Sequence, residues 1–118
     1  MADSIIRFRR LSDAVAQKAD ILVRCLGCGR QLLFDRATFL AILADKRVSD
    51  DRARAERKMI CDNCHRRGAV LALVPEGSPT ALRLEDGAPL PPKGVSVSAW
   101  CAARSHETRR RLIRAARD

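Results

Sequence analysis

The sequence predicts an α+β fold: a small antiparallel sheet, helices inserted between two cysteine pairs, and a basic helix at the C-terminal end. Three observations lead there. The spacing C-x-x-C occurs twice, at Cys25 and Cys28 and again at Cys61 and Cys64, with thirty-two residues between the pairs. Short β-forming runs flank both pairs. The segment between the pairs, and residues 95–118, are written in helix formers instead.

Taken in order, residues 10–18 (RLSDAVAQK) open with Ser12 as an N-cap and continue in helix formers, which predicts a short helix. Residues 20–25 (DILVRC) read as a strand that delivers the first cysteine pair at its end. Gly27 and Gly29 flank Cys28 and suit a tight turn, so residues 30–34 (RQLLF) can return antiparallel. Residues 35–47 read as a helix capped by Asp35, whose apolar stripe of Phe39, Ile42 and Leu43 should pack on the sheet. Residues 49–60 read as a second, largely polar helix starting at Ser49, with acids in its first turn and Arg57 and Lys58 near its end, as the helix dipole favours. After the second cysteine pair, residues 69–74 (AVLALV) and 80–84 (TALRL) are expected to form a hairpin about the turn PEGSP, for about four strands in all. Residues 85–94 hold three of the five prolines and read as a linker. The chain is therefore expected to divide into a domain at 1–84, a linker at 85–94 and a C-terminal basic helix at 95–118.

The cysteines carry the clearest chemistry. Two C-x-x-C turns supply four thiolates, a complete tetrahedral shell for one structural Zn²⁺, and each turn lets two sulfurs face one ion at about 2.3 Å. The same four thiolates suit an iron–sulfur centre or dithiol redox chemistry. Cys61 to His65 also spell C-x-x-C-H, the signature of covalent haem attachment. A haem would leave Cys25 and Cys28 unexplained and would require export. The N-terminal MADSIIRFRRLSD has no seven-residue apolar run and no small-residue cleavage site, and does not read as a signal peptide. Clustered cysteines without such a signal fit a reducing, cytoplasmic setting better than a disulfide framework. Cys101 stands apart and reads as packing beside Trp100, and His106 as a solvated helix position.

Composition narrows the function further. With 23 basic and 14 acidic residues the net charge is +9, a field that attracts polyanions. Nineteen of the basic residues are arginine, which a GC-rich genome also writes without selection for binding. Phe8, Phe34, Phe39 and Trp100 are the only aromatics, too few for a stacking platform that reads single-stranded RNA. No apolar stretch is long enough for a membrane span. Asp50-Asp51 and Glu85-Asp86 read as a helix start and a turn, and no phosphate loop, nucleophile elbow or Ser-His-Asp set is present. Neither an enzyme nor a small-molecule substrate is expected.

The order of strand, C-x-x-C-G turn, strand, helical connection, C-x-x-C and strand resembles the zinc-ribbon superfamily. It is similar to small bacterial zinc-ribbon proteins in which a helical segment separates two knuckles. The resemblance covers residues 20–74. Cys25-Leu26-Gly27-Cys28-Gly29 matches the ribbon knuckle, whereas the second knuckle places His65 where glycine is common. It implies a closed four-cysteine site without open coordination, hence a structural ion, and leaves function open because ribbons serve many processes.

Residues 93–118 carry seven basic and two acidic residues. On a helical wheel Arg104, Arg110, Arg111, Arg114 and Arg117 share one side, facing away from Cys101, Leu112, Ile113 and Ala116, with Arg109 intruding among the latter. The expectation is a zinc-stabilised module that binds nucleic acid through phosphate contacts of those five arginines, as an accessory to transcription or a related process. The alternative is an adaptor that docks on a protein partner through the C-terminal helix, with zinc purely structural.

Overall fold

The computed structural model describes residues 8–84 and 88–117. Its centre is a three-stranded antiparallel sheet in the order β2-β1-β3, formed by β1 (Ala19–Cys25), β2 (Gln31–Phe34) and β3 (Ala69–Pro75). β1 is the middle strand, so it is buried over most of its length, with Ala19, Asp20, Ile21 and Cys25 inside. The alternation of β3 puts Ala69, Leu71 and Leu73 inward. Buried Asp20 is satisfied by the backbone N–H of Arg36 at 3.2 Å and by the Arg36 guanidinium at 3.7 Å, as a carboxylate inside a core requires.

The described residues form five helices, α1 (Asp13–Ala16), α2 (Arg36–Asp45), α3 (Arg52–Lys58), α4 (Val97–Ala102) and α5 (His106–Arg117); α1, α2 and α3 pack on the sheet and α5 packs on α4. In α2 the expected cap forms, Asp35 accepting from the Thr38 N–H, and Phe39, Ile42 and Leu43 are buried as the stripe predicts. Phe39 tilts against Phe34 of β2 with ring centroids 5.4 Å apart. α3 lies against the outer edge of β3, burying Ala55 completely. From that helix Glu56 accepts the Leu71 N–H at 2.7 Å, which occupies a donor that an edge strand would leave open.

Several sequence expectations are corrected. The hairpin between 69–74 and 80–84 does not form. Once α3 covers the β3 edge, the chain crosses to the opposite side of the sheet. There Leu82 N–H donates to Leu33 C=O at 2.8 Å and Leu82 C=O accepts from Asp35, bridging Phe34 in parallel. Among the described residues the sheet has three strands, not about four. α1 is a single turn inside the predicted 10–18, because Ser12 does not cap it but donates to Asp50, while Lys18 leaves the helical region at φ 48°. α3 begins at Arg52 and not at Ser49, since it is Asp51 that accepts the Arg54 N–H.

The proline-rich stretch is predicted to begin at residue 85, and residues 85–87, with the Glu85-Asp86 turn, lie outside the described ones. Residues 88–94 form no helix or strand, yet the Pro89 carbonyl accepts the indole N–H of buried Trp100 at 2.8 Å. The C-terminal helix is two helices, divided at Ala103–Ser105 by a fresh N-cap in which Ser105 Oγ accepts from Thr108. Among the described residues no helix is long and apolar enough to cross a membrane.

Candidate metal centre

Each cysteine pair sits on the same local backbone. After β1, Cys25 N–H donates to Arg30 C=O at 2.9 Å and Gly29 N–H to Cys25 C=O at 3.0 Å. After α3, Cys61 N–H donates to Arg66 C=O at 3.0 Å and His65 N–H to Cys61 C=O at 2.8 Å. The residue after each second cysteine is left-handed, Gly29 at φ 78° and His65 at φ 62°. The departure from the C-x-x-C-G pattern therefore leaves the turn intact and puts its cost on a non-glycine residue.

These two turns face one another. The sulfurs of Cys25, Cys28, Cys61 and Cys64 all lie within 4.8 Å of each other, and no other described residue joins the cluster. Cys25 Sγ is 3.4 Å from Cys64 Sγ, and Cys28 Sγ is 3.8 Å from Cys61 Sγ. Disulfide sulfurs would be about 2.05 Å apart. The edge of a sulfur tetrahedron about an ion with 2.3 Å bonds is about 3.8 Å, so the spacing fits a tetrahedral four-thiolate ion. Cys61 and Cys64 point at the first pair, an arrangement that uses all four cysteines where a haem would use two.

The turns also supply N–H groups aimed at sulfur. Gly27 N–H donates to Cys25 Sγ at 3.2 Å, Asn63 N–H to Cys61 Sγ at 3.3 Å, and the Asn63 side-chain amide to Cys28 Sγ at 3.6 Å. Such donors favour thiolate over thiol. The Cys28 backbone N–H, with help from the Cys64 thiol and Gly27, lowers Cys25 to about 6 against the effect of burial. The Arg30 N–H and the Asn63 amide hold Cys28 below the ordinary thiol range. Cys64 moves the other way. The Arg66 N–H pulls it down, but burial and the thiols of Cys25, Cys61 and Cys28 push it up to about 11. A cation that replaces the shared protons meets ligands already arranged for it.

Gly27 is required by the close approach of the knuckles. A Cβ there would stand 3.0 Å from Cys64 Sγ and 2.8 Å from the Arg66 side chain. Asp62, which local pattern did not single out, ties the centre to distant parts of the chain. It accepts from Arg30 at 2.7 Å, from Ser98 at 3.0 Å and from Ser96, the N-cap of α4. Burial pushes this carboxyl up, but the Ser96 and Ser98 hydroxyls and the Arg30 charge hold it below the usual range. An apolar cavity of about 610 Å³ borders the centre, walled in part by Leu32, Phe39, Ile42 and Val95.

Cys101 is 1% exposed in the hydrophobic core and outside the sulfur cluster. Arg104 falls in the break before α5 and donates to the Cys101 carbonyl at 3.0 Å, so it does not continue the α5 face. On α5, Arg110 and Arg114 are exposed and Arg111 pairs with Glu107 at 3.1 Å, whereas the Arg117 side chain lies outside the described residues. Arg109, the intruder on the apolar side, lies 5.8 Å over the Trp100 ring and donates to the Ala103 carbonyl. His106 is exposed at the start of α5. No protein-family model matches the chain, and no curated protein or solved structure matches it.

Proposed function

We propose that this chain is a zinc-stapled binding module that holds nucleic acid through its phosphates, in a reducing compartment such as the cytoplasm, as an accessory to transcription or another nucleic-acid process. The observation that carries the metal is the convergence of four free thiol sulfurs within 4.8 Å. Four protein sulfurs fill a tetrahedral shell, so the ion acts as a fastening and not as a Lewis acid, and no catalytic role is assigned to it. Support for the partner is electrostatic. The chain carries a net +9, and on α5 Arg110 and Arg114 stand exposed with no ion pair among the described residues.

A second reading, docking on a protein through α5, is favoured by Leu112 and Ile113, which remain only half-buried against the rest of the chain. Salt separates the two. Elemental analysis of the full chain should give one zinc per molecule, and its binding to a duplex of mixed sequence should weaken steeply as salt rises. Binding to a protein partner that persists through the salt series, with no duplex binding at low salt, would select the docking reading.

A further inference from the structure

We infer that the main phosphate contact is not α5 but a basic groove formed by Arg47, Arg54, Arg57, Lys58 and Arg67, and that its ligand is the phosphodiester backbone of a nucleic acid. This inference rests on the nucleic-acid reading above and names the surface that would serve it. The groove is a concavity of about 500 Å³ whose sixth wall residue is Ser49. It draws cations from three places: the turn after α2, the outer face of α3, and the arm that leaves the second knuckle. All five side chains are exposed, and among the described residues none forms an ion pair.

The acids that should neutralise these cations are directed elsewhere. Asp50 turns to Arg10 and Ser12, and Asp51 caps α3 through the Arg54 backbone. Glu56 is held by Arg52 and by the Leu71 N–H. Asp45, at the end of α2, is not in the groove wall. Arg54 also has Arg57 and Lys58 as its i+3 and i+4 neighbours, an arrangement of like charges that disfavours an isolated helix. A solvated helix face would ordinarily be laced with opposite charges. Among the described residues, this one has no ion pair.

Arg47 also stands at the end of α2 in a conformation that suits glycine. Val48 N–H donates to Leu43 C=O and Arg47 N–H to Ala44 C=O, the paired bonds of a Schellman helix end, and Arg47 is the left-handed residue at φ 56°. Glycine is the usual occupant of that position, because any Cβ there is strained. Here the strained residue is an arginine in the wall of the groove. Lys18 and His65 are also left-handed, so strain alone does not mark a site. What sets Arg47 apart is that relief by glycine would remove one of five converging charges. By comparison α5 offers less, since Arg111 is paired with Glu107 and Arg104 with a carbonyl.

The experiment uses the zinc-loaded full chain and a fluorescein-labelled duplex and single strand of mixed sequence, titrated across a salt series. Three proteins are compared with the parent: Arg47→Gly, the pair Arg54→Ala with Arg57→Ala, and the pair Arg110→Ala with Arg114→Ala. Each phosphate contact contributes about 0.9 to the slope of log affinity against log salt on a duplex, so five contacts give a slope near −4.5. The Arg54/Arg57 pair should flatten that slope by about 1.8 and Arg47→Gly by about 0.9. Arg47→Gly should do so while raising the urea midpoint of the fold, an outcome that a merely structural role for Arg47 cannot produce. If the groove proteins keep the parental affinity and slope while the Arg110/Arg114 pair loses them, the groove is overturned and the nucleic-acid reading stands. If the parent binds neither probe at low salt, the nucleic-acid reading fails and the groove falls with it.

Discussion

The two knuckles share one backbone but not one residue at its left-handed position, and this permits a reciprocal test. Gly29 takes φ 78° and a Cβ added there would meet nothing within 4 Å, so Gly29→Ala isolates the backbone cost. A left-handed non-glycine residue costs roughly 1–2 kcal/mol. Restricting the unfolded chain returns about 0.4–1 kcal/mol, for a net loss of about 0.5–1 kcal/mol. His65→Gly runs the same account backwards at φ 62° and should gain about 0.5–1 kcal/mol by the same terms. At an m-value near 1.5 kcal/mol/M the urea midpoint should move by about 0.3–0.7 M, down for Gly29→Ala and up for His65→Gly. The single tryptophan, Trp100, buried at 2% exposure, reports unfolding by fluorescence, with free zinc buffered so that mass action is equal in both proteins. Bound zinc should remain at one equivalent in both. A His65→Gly protein that is less stable, or that loses its metal, would refute the reasoning, because the imidazole would then be holding something the backbone account omits.

Cys28→Ser should abolish stable zinc binding, whereas Cys101→Ser should retain one zinc by elemental analysis, since Cys101 lies outside the sulfur cluster. Gly27→Ala should weaken zinc retention against a competing chelator, because its Cβ would press on Cys64 Sγ at 3.0 Å; an overpacked site of this kind costs about 1–3 kcal/mol. Asp62→Ala should lower the thermal midpoint by the equivalent of about 1–2 kcal/mol, a value reduced for its partial exposure, and should speed proteolysis around α4 by releasing Ser96 and Ser98. Burial raises the Cys101 thiol from its ordinary 9.0 to about 11, against the opposing charges of Arg104 and Arg109. The folded state thus holds this proton more tightly than the unfolded state, so the associated stability is complete below about pH 9 and is lost as pH rises toward 11. Cys101→Ala should flatten that alkaline decline in urea titrations, and an unchanged decline would place its cause elsewhere.

What could be read in advance was what local chemistry alone decides. Asp35 followed by Phe39, Ile42 and Leu43 specifies a cap and a stripe within one helix, and α2 has both. The paired C-x-x-C spacing likewise marked four cysteines that the fold brings together. Local pattern fails where a distant partner outweighs a local signal. Ser12 is a good cap in isolation, but Asp50 takes its hydroxyl. Residues 80–84 alternate like a hairpin partner, but Glu56 occupies the β3 edge and Leu82 joins β2 instead. Asp62 gave no sign of its role because Ser96 and Ser98 lie 34 and 36 residues away. Ser105 did carry a signal: Thr108, three residues on, donates its N–H to the Ser105 hydroxyl, and that N-cap divides α4 from α5.

On the proposed reading, the metal and the phosphate groove are parts of one device. The second knuckle is the tip of a short two-armed loop: Cys61 bonds to Arg66, Ile60 bridges Arg67, and Gly68 N–H donates to Met59 C=O at 2.8 Å. Lys58 stands at the base of one arm and Arg67 on the other, and both line the groove. A pair of arms this short has little stability of its own in water. An ion held by Cys61 and Cys64 would fasten its tip to Cys25 and Cys28, at the end of the buried central strand, and so would fix the returning arm relative to α3. Binding carries a cost for ordering loops at an interface, and an arm whose backbone is fixed in advance lowers that part of the cost, leaving the side-chain part of about 0.5–1.5 kcal/mol each to the anion contacts. A metal with no open coordination position would thus affect affinity without touching the ligand, because it would hold Arg67 at a set distance from Arg54, Arg57 and Lys58 on α3.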